Sequence, residues 1–117
     1  MFRFEGLDIW NKAIEIAGKL LDIADELESK KLFRFAEQLR GAALSMPNNI
    51  AEGSGNDSNR EFAKFISYAK RSAFENANMI IIFTEREYIS GNTKEDLLAD
   101  LDMLCRMLTS FGRALYS

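Results

Sequence analysis

Arg40, Asn48, Asn49 and Glu52 fall close together in the chain, and Glu75 follows a segment later. An arginine offers a planar fork of donors that fits carboxylates, and an asparagine both donates and accepts. Such a set either binds a ligand on a rigid scaffold or joins helices through a satisfied polar network. The network reading is preferred. In it Arg40 pairs with Glu52 or Glu75 across helices, and the asparagines meet carbonyls freed by Pro47. Arg40 and Glu52 sit about three helical turns apart, so they share a face without touching.

A second set is basic: Lys30, Lys31, Arg34, Arg60, Lys64, Lys70 and Arg71. Arg60 and Lys64 are spaced to share one helix face. Repeated around an oligomer, these cations would form a ring able to grip phosphates. The plainer reading, a solvated face paired with acids on other helices, is preferred.

Catalytic chemistry finds little footing. Glu52, Asp57, Glu61 and Glu75 are carboxylates that could converge, but the chain has no histidine. That leaves Ser45 and Ser58 without the usual activating base, and a helical bundle without the Glu-x-x-His metal pairs. Carboxylates alone suit magnesium or calcium rather than zinc. Gly53-Ser54-Gly55 is too short for a phosphate loop and follows a helix, not a strand. Cys105 is the single cysteine, which excludes an internal disulfide and is read as a small core residue. No enzyme activity, metal or cofactor is expected.

Four amphipathic helices must position these residues. The first spans about 7–27, with Leu7, Trp10, Ile14, Ala17, Leu21 and Ala24 as its stripe, widened by Ala13, Leu20 and Leu27. Ile9 and Ile16 are read as surplus to that stripe. The second spans about 32–52, with Leu39, Ala43, Met46 and Ile50 in phase across Pro47, hence one kinked helix. Gly53-Ser54-Gly55 is its stop. The third starts at a capping box, Ser58 to Glu61, and runs to about 87 behind Phe62, Phe65, Ile66, Ala69, Ala73, Ile80 and Phe83. Met79 to Phe83 is apolar all round, which implies either a central position or contact with another subunit. Ser90-Gly91-Asn92 ends that helix. The fourth opens at Thr93 and carries Leu97, Leu101, Leu104, Leu108, Phe111 and Leu115 as a seam. No segment alternates with period two. The expected fold is all-α: one domain over 1–117, an antiparallel up-and-down four-helix bundle.

The 117 residues are enough for a core without staples, at 47% hydrophobic and 28% charged. Net charge is −3, but unevenly spread. Residues 1–28 carry three basic and seven acidic groups, 29–71 eight and four, 72–117 four and seven. A protein binding nucleic acid through bulk charge would be basic overall; only the middle segment keeps that option open. The opening residues lack a signal peptide's apolar stretch, and no apolar run approaches the roughly 20 residues of a membrane span, so a cytoplasmic location and no membrane contact are expected.

The stretch Gln38-Leu39-Arg40-Gly41-Ala42-Ala43-Leu44-Ser45-Met46-Pro47-Asn48-Asn49-Ile50-Ala51-Glu52-Gly53 resembles the hallmark of a family of four-helix bundles. These were first noted as reading frames within intervening sequences of bacterial 23S ribosomal RNA genes. Phe4 to Trp10, Ser58 to Phe65, and Ser72 with Glu75 resemble its further motifs. Gly41 replaces a second arginine of the pattern, Asn56 an often basic residue, and Arg71 and Ala77 a glycine and an acid. The resemblance implies an antiparallel bundle and a homopentamer, in which the polar set could fix subunit register. It also implies kinship with the basic, nucleic-acid-binding accessory proteins of diversity-generating retroelements. The expected role is a non-catalytic oligomeric scaffold for a protein or nucleic-acid partner. The alternative is an RNA- or DNA-binding protein using a basic surface on the second and third helices.

Overall fold

The computed structural model describes residues 1–116 and contains four long helices: α1 (Asp8–Ser29), α2 (Phe33–Ser54), α3 (Asn59–Glu85) and α4 (Gly91–Ala114), preceded by a 3-10 turn at Arg3–Gly6. No strand occurs among the described residues. The molecule measures 45 × 22 × 20 Å, about the length of one long helix. Each helix packs on its sequence neighbours and α1 closes onto α4, while the diagonal pairs α1/α3 and α2/α4 do not meet. Short connections force antiparallel neighbours, which is the expected bundle.

Leu39, Ala43, Met46 and Ile50 on α2 and Leu97, Leu101, Leu104 and Leu108 on α4 are buried, as their spacing requires. On α3, Phe62, Ile66, Ala69, Ala73, Ile80 and Phe83 do the same. The phase of α1 is a correction. Ile9, Ala13, Ile16, Leu20, Ile23 and Leu27 form its inward line, and Ile14 from the expected stripe is exposed. Apolar residues cover more than half the circumference of this helix, so a seven-residue repeat fits two phases. The isoleucine-rich phase buries more area and wins. Ile9 and Ile16 are therefore core residues, not surplus ones.

The helix ends explain the turns. Leu32 N–H donates to Leu27 O at 2.9 Å and Lys31 N–H to Glu28 O at 2.9 Å, with Lys31 at φ 65°. Tyr88 N–H reaches Phe83 O at 2.8 Å and Glu87 N–H reaches Thr84 O at 2.9 Å, with Glu87 at φ 64°. Both are Schellman closures with a left-handed residue that is not glycine. The α2 stop differs from expectation: Gly53 and Ser54 belong to the helix and are buried, and Gly55 closes it at φ −79°. Ser58 Oγ accepts from Glu61 N–H at 3.3 Å, as the capping signal predicts. Ser90 likewise caps α4 by accepting from Thr93 N–H at 3.2 Å, so Gly91 and Asn92 open that helix instead of preceding it. α2 passes through Pro47 as one continuous helix.

Candidate interaction surfaces

Four sets of polar groups lie between the helices, and each marks one edge of the bundle. Between α1 and α2, Arg40 donates to Asp25 Oδ1 at 2.8 Å, Glu28 Oε1 at 3.0 Å and Glu37 Oε1 at 2.7 Å. Three carboxylates beside one guanidinium raise its pKa further, chiefly through the Asp25 bond. Arg40 thus turns to α1 and not to Glu52 or Glu75, because the short α1–α2 turn folds residues 25–28 back beside 37–40. The three acids are exposed, so their outer oxygens remain open to solvent.

Between α2 and α3 runs a chain of small polar groups. Ser45 and Ser72 share a hydroxyl hydrogen bond at 2.7 Å. Asn49 Nδ2 donates to Ser45 Oγ at 3.0 Å and to Ser45 O at 2.8 Å. The carbonyl it meets is that of Ser45, not the Ala43 carbonyl opposite the ring of Pro47. Asn76 is fully buried and donates to Ala42 O and Ser72 O at 2.8 Å each, while its Oδ1 has no partner. Asn48, Glu52 and Glu75 are exposed. The sequence pattern therefore found the Ser45–Asn49 segment and missed Asn76, whose apolar-face position was the available signal. A cleft of about 530 Å³ lies beside this seam, lined by Glu37, Gln38, Gly41, Ser45, Glu75 and Asn78 among others.

Between α3 and α4, Lys70 Nζ donates to Thr109 Oγ1 at 2.8 Å across a groove of about 590 Å³. Ala73, Phe74, Ala77, Leu98 and Cys105 supply its apolar wall. Burial pushes the Cys105 thiol above its usual pKa, only partly offset by Lys70, which favours the protonated form. A second depression shares Lys70, Thr109 and Arg113 with this groove, and a third meets the second at Ala63 and Tyr116 and carries the line on to Arg60 and Lys64. The resulting trough is lined by Arg60, Lys64, Lys70, Arg106 and Arg113 against the acids Glu61 and Asp102. Glu61 pairs with Lys64 at 3.8 Å and Asp102 with Arg106 at 3.0 Å, which leaves Arg60 and Lys70 as cations beyond those pairs.

The seven basic residues singled out in the sequence do not form one stripe. Lys30, Lys31 and Arg34 lie at the end holding the α1–α2 turn, where Lys30 Nζ donates to Tyr88 O at 2.9 Å. Arg60 and Lys64 lie at the opposite end of the bundle. Arg71 stacks over Tyr68 at 5.6 Å. The missed cations are Arg106 and Arg113, which α4 brings beside α3. The α1/α4 edge is closed by Asp100, which accepts from Lys19 at 2.8 Å and Lys12 at 3.3 Å. Burial pushes the Asp100 pKa up, but hydrogen bonds from Lys19 and Lys12 outweigh it and leave the carboxyl below its usual range. No cluster of three metal-ligating side chains is found among the described residues, nor a helix long and apolar enough to cross a membrane.

Residues 5–110 match the family model described as 23S rRNA-intervening sequence protein. The chain belongs to that family. A crystal structure of a protein of unknown function from the S23 ribosomal protein family of Bacteroides thetaiotaomicron VPI-5482 has the same fold. It superposes with a TM-score of 0.84 at 22% identity, over 89% of this chain and 97% of that one. No curated protein matches the sequence. Within the matched residues, Arg40 faces α1 while Ser45 and Asn49 face α3, so the segment spans two edges of the bundle.

Proposed function

We propose that this protein is a non-catalytic, oligomeric helical scaffold acting in the cytoplasm, whose long faces bind protein, including further copies of itself. One observation carries the reading. Phe74 (64% exposed), Met103 (53%), Ile82 (45%) and Leu44 (44%) stand out to solvent on helices whose inward lines already fill the core. They lie on α2, α3 and α4, so more than one face of the bundle offers apolar surface to a partner. Ile81 and Ile82 point outward while Ile80 and Phe83 are buried, which favours subunit contact over a central position for this segment. A homopentamer is the assembly that the family resemblance implies. Light scattering at tens of micromolar should give a defined multiple of 13.3 kDa. A monodisperse monomer would overturn the reading.

The second reading, RNA or DNA binding, is favoured by the cationic trough rather than by α2 and α3 together. Titration with structured RNA at two salt concentrations tests it. Binding that weakens steeply with salt supports it, and none at low salt removes it, since phosphate attraction is strongest there.

A further inference from the structure

We propose that the α1/α2 edge of one copy docks into the α3/α4 trough of the next, a contact between two different faces of the same chain. This rests on the self-association reading and adds which surfaces meet.

The two faces lie on opposite sides of the molecule. Neighbours in sequence are neighbours in space and the diagonals do not touch, so the edge between α1 and α2 is opposite the edge between α3 and α4. Helical phase places the exposed residues. Lys12 and Lys19 mark the side of α1 that faces α4, and Asp25 the side that faces α2, by their bonds. Ile14 and Leu21 precede Asp25 by eleven and four residues, so they share its side. Leu44 follows Arg40 by one turn and shares its side of α2. Ile14 (39% exposed) and Leu44 therefore form one apolar edge. On the opposite edge Phe74 follows Lys70 by one turn, above the wall made with Ala77 and Leu98.

The charges on the two edges are opposite. Beside Arg40, the acids Asp25, Glu28 and Glu37 share that one guanidinium, so this stretch of the α1/α2 edge is negative, while Lys30, Lys31 and Arg34 lie past it at the turn. In the trough Glu61 and Asp102 are paired to Lys64 and Arg106, and Arg60 and Lys70 add positive charge beyond those pairs. Either edge packed on its own copy by a two-fold axis would oppose like charges, which is costly at an interface. The two edges packed on each other join apolar to apolar and negative to positive. Such a contact leaves one free edge of each kind at the ends, so it continues, into a ring where the rotation between copies closes and into a filament where it does not.

The test uses Leu44→Arg, which puts a positive charge on the negative edge, and Phe74→Glu, which puts a negative charge in the trough. Both positions are exposed, so circular dichroism should show wild-type helix content; Ile14→Lys and Arg106→Glu form a second pair if either variant fails to fold. Each variant alone should scatter at monomer mass. Mixed in equal amounts they should associate again, because each keeps the edge the other needs, and the complex should weaken as salt rises. A wild-type oligomer whose variants stay monomeric when mixed, or which only one of the two variants dissociates, would overturn the pairing and leave self-association standing. A wild-type monomer would overturn both. A monomer whose affinity for a single-stranded oligoribonucleotide falls with Arg106→Glu would make the trough a nucleic-acid groove instead.

Discussion

Three Gly→Ala substitutions, chemically identical, should move stability in opposite directions. A Cβ added at Gly53 would lie 2.7 Å from Phe65 Cβ and 2.8 Å from Phe62 Cδ1. Carbon atoms pack at about 3.5–4.0 Å, so roughly 1 Å must be found. Phe65 Cβ is fixed to the α3 backbone, and Phe62 is fully buried, with Arg3 over its ring at 5.0 Å. Neither can swing away, so α2 and α3 must part where Gly53 sits. Overpacking of this kind costs about 1–3 kcal/mol. Alanine's better helix propensity returns at most about 1 kcal/mol. Gly53→Ala should therefore destabilise by about 1–2 kcal/mol, lowering Tm by roughly 5 °C for a chain of this size. Gly18 and Gly41 sit inside α1 and α2 with nothing within 4 Å of an added Cβ. Alanine there should stabilise by about 0.5–1 kcal/mol each. Urea unfolding followed by circular dichroism, at one fixed protein concentration because assembly raises apparent stability, measures all three. Gly53→Ala as stable as wild type, or Gly18→Ala clearly weaker, would refute the reasoning.

Further outcomes follow from the helix ends and the charged contacts. Lys31→Gly and Glu87→Gly should each raise stability by up to about 1 kcal/mol, since both positions hold φ near +65° at a cost that glycine avoids; a fall in either Tm would contradict this. Asp100→Asn should weaken the α1/α4 edge at neutral pH. Because the folded Asp100 pKa is lowered, its contribution is present above the unfolded value near 4 and is lost as pH falls through the folded one. The wild-type advantage over Asp100→Asn should thus shrink on acidification below about pH 4, and an advantage independent of pH would exclude the ion-pair account. Cys105, with its pKa raised by burial, should react with a thiol reagent at neutral pH far more slowly in the folded protein than in urea; equal rates would mean the groove wall is open.

Some of the architecture needs only the order of residues. The seams of α2, α3 and α4 are periodic and their caps are local, so short-range physics fixes where those helices run and which side is greasy. The absence of histidine and the single cysteine restrict the chemistry before any folding occurs. The phase of α1 was open, because a helix apolar over more than half its girth has two usable stripes until neighbours choose one. The partners of Arg40 were likewise undetermined. They depend on the register in which α1 lies against α2, a property of two segments and the turn between them. The cationic trough depends on still more, since Lys70 meets Arg106 and Arg113 only after α4 folds back beside α3. Periodicity along one segment is a one-dimensional property and survives in the linear chain. Surface charge and the exposed apolar edges are sums over several segments, and only their packing brings the terms of that sum together.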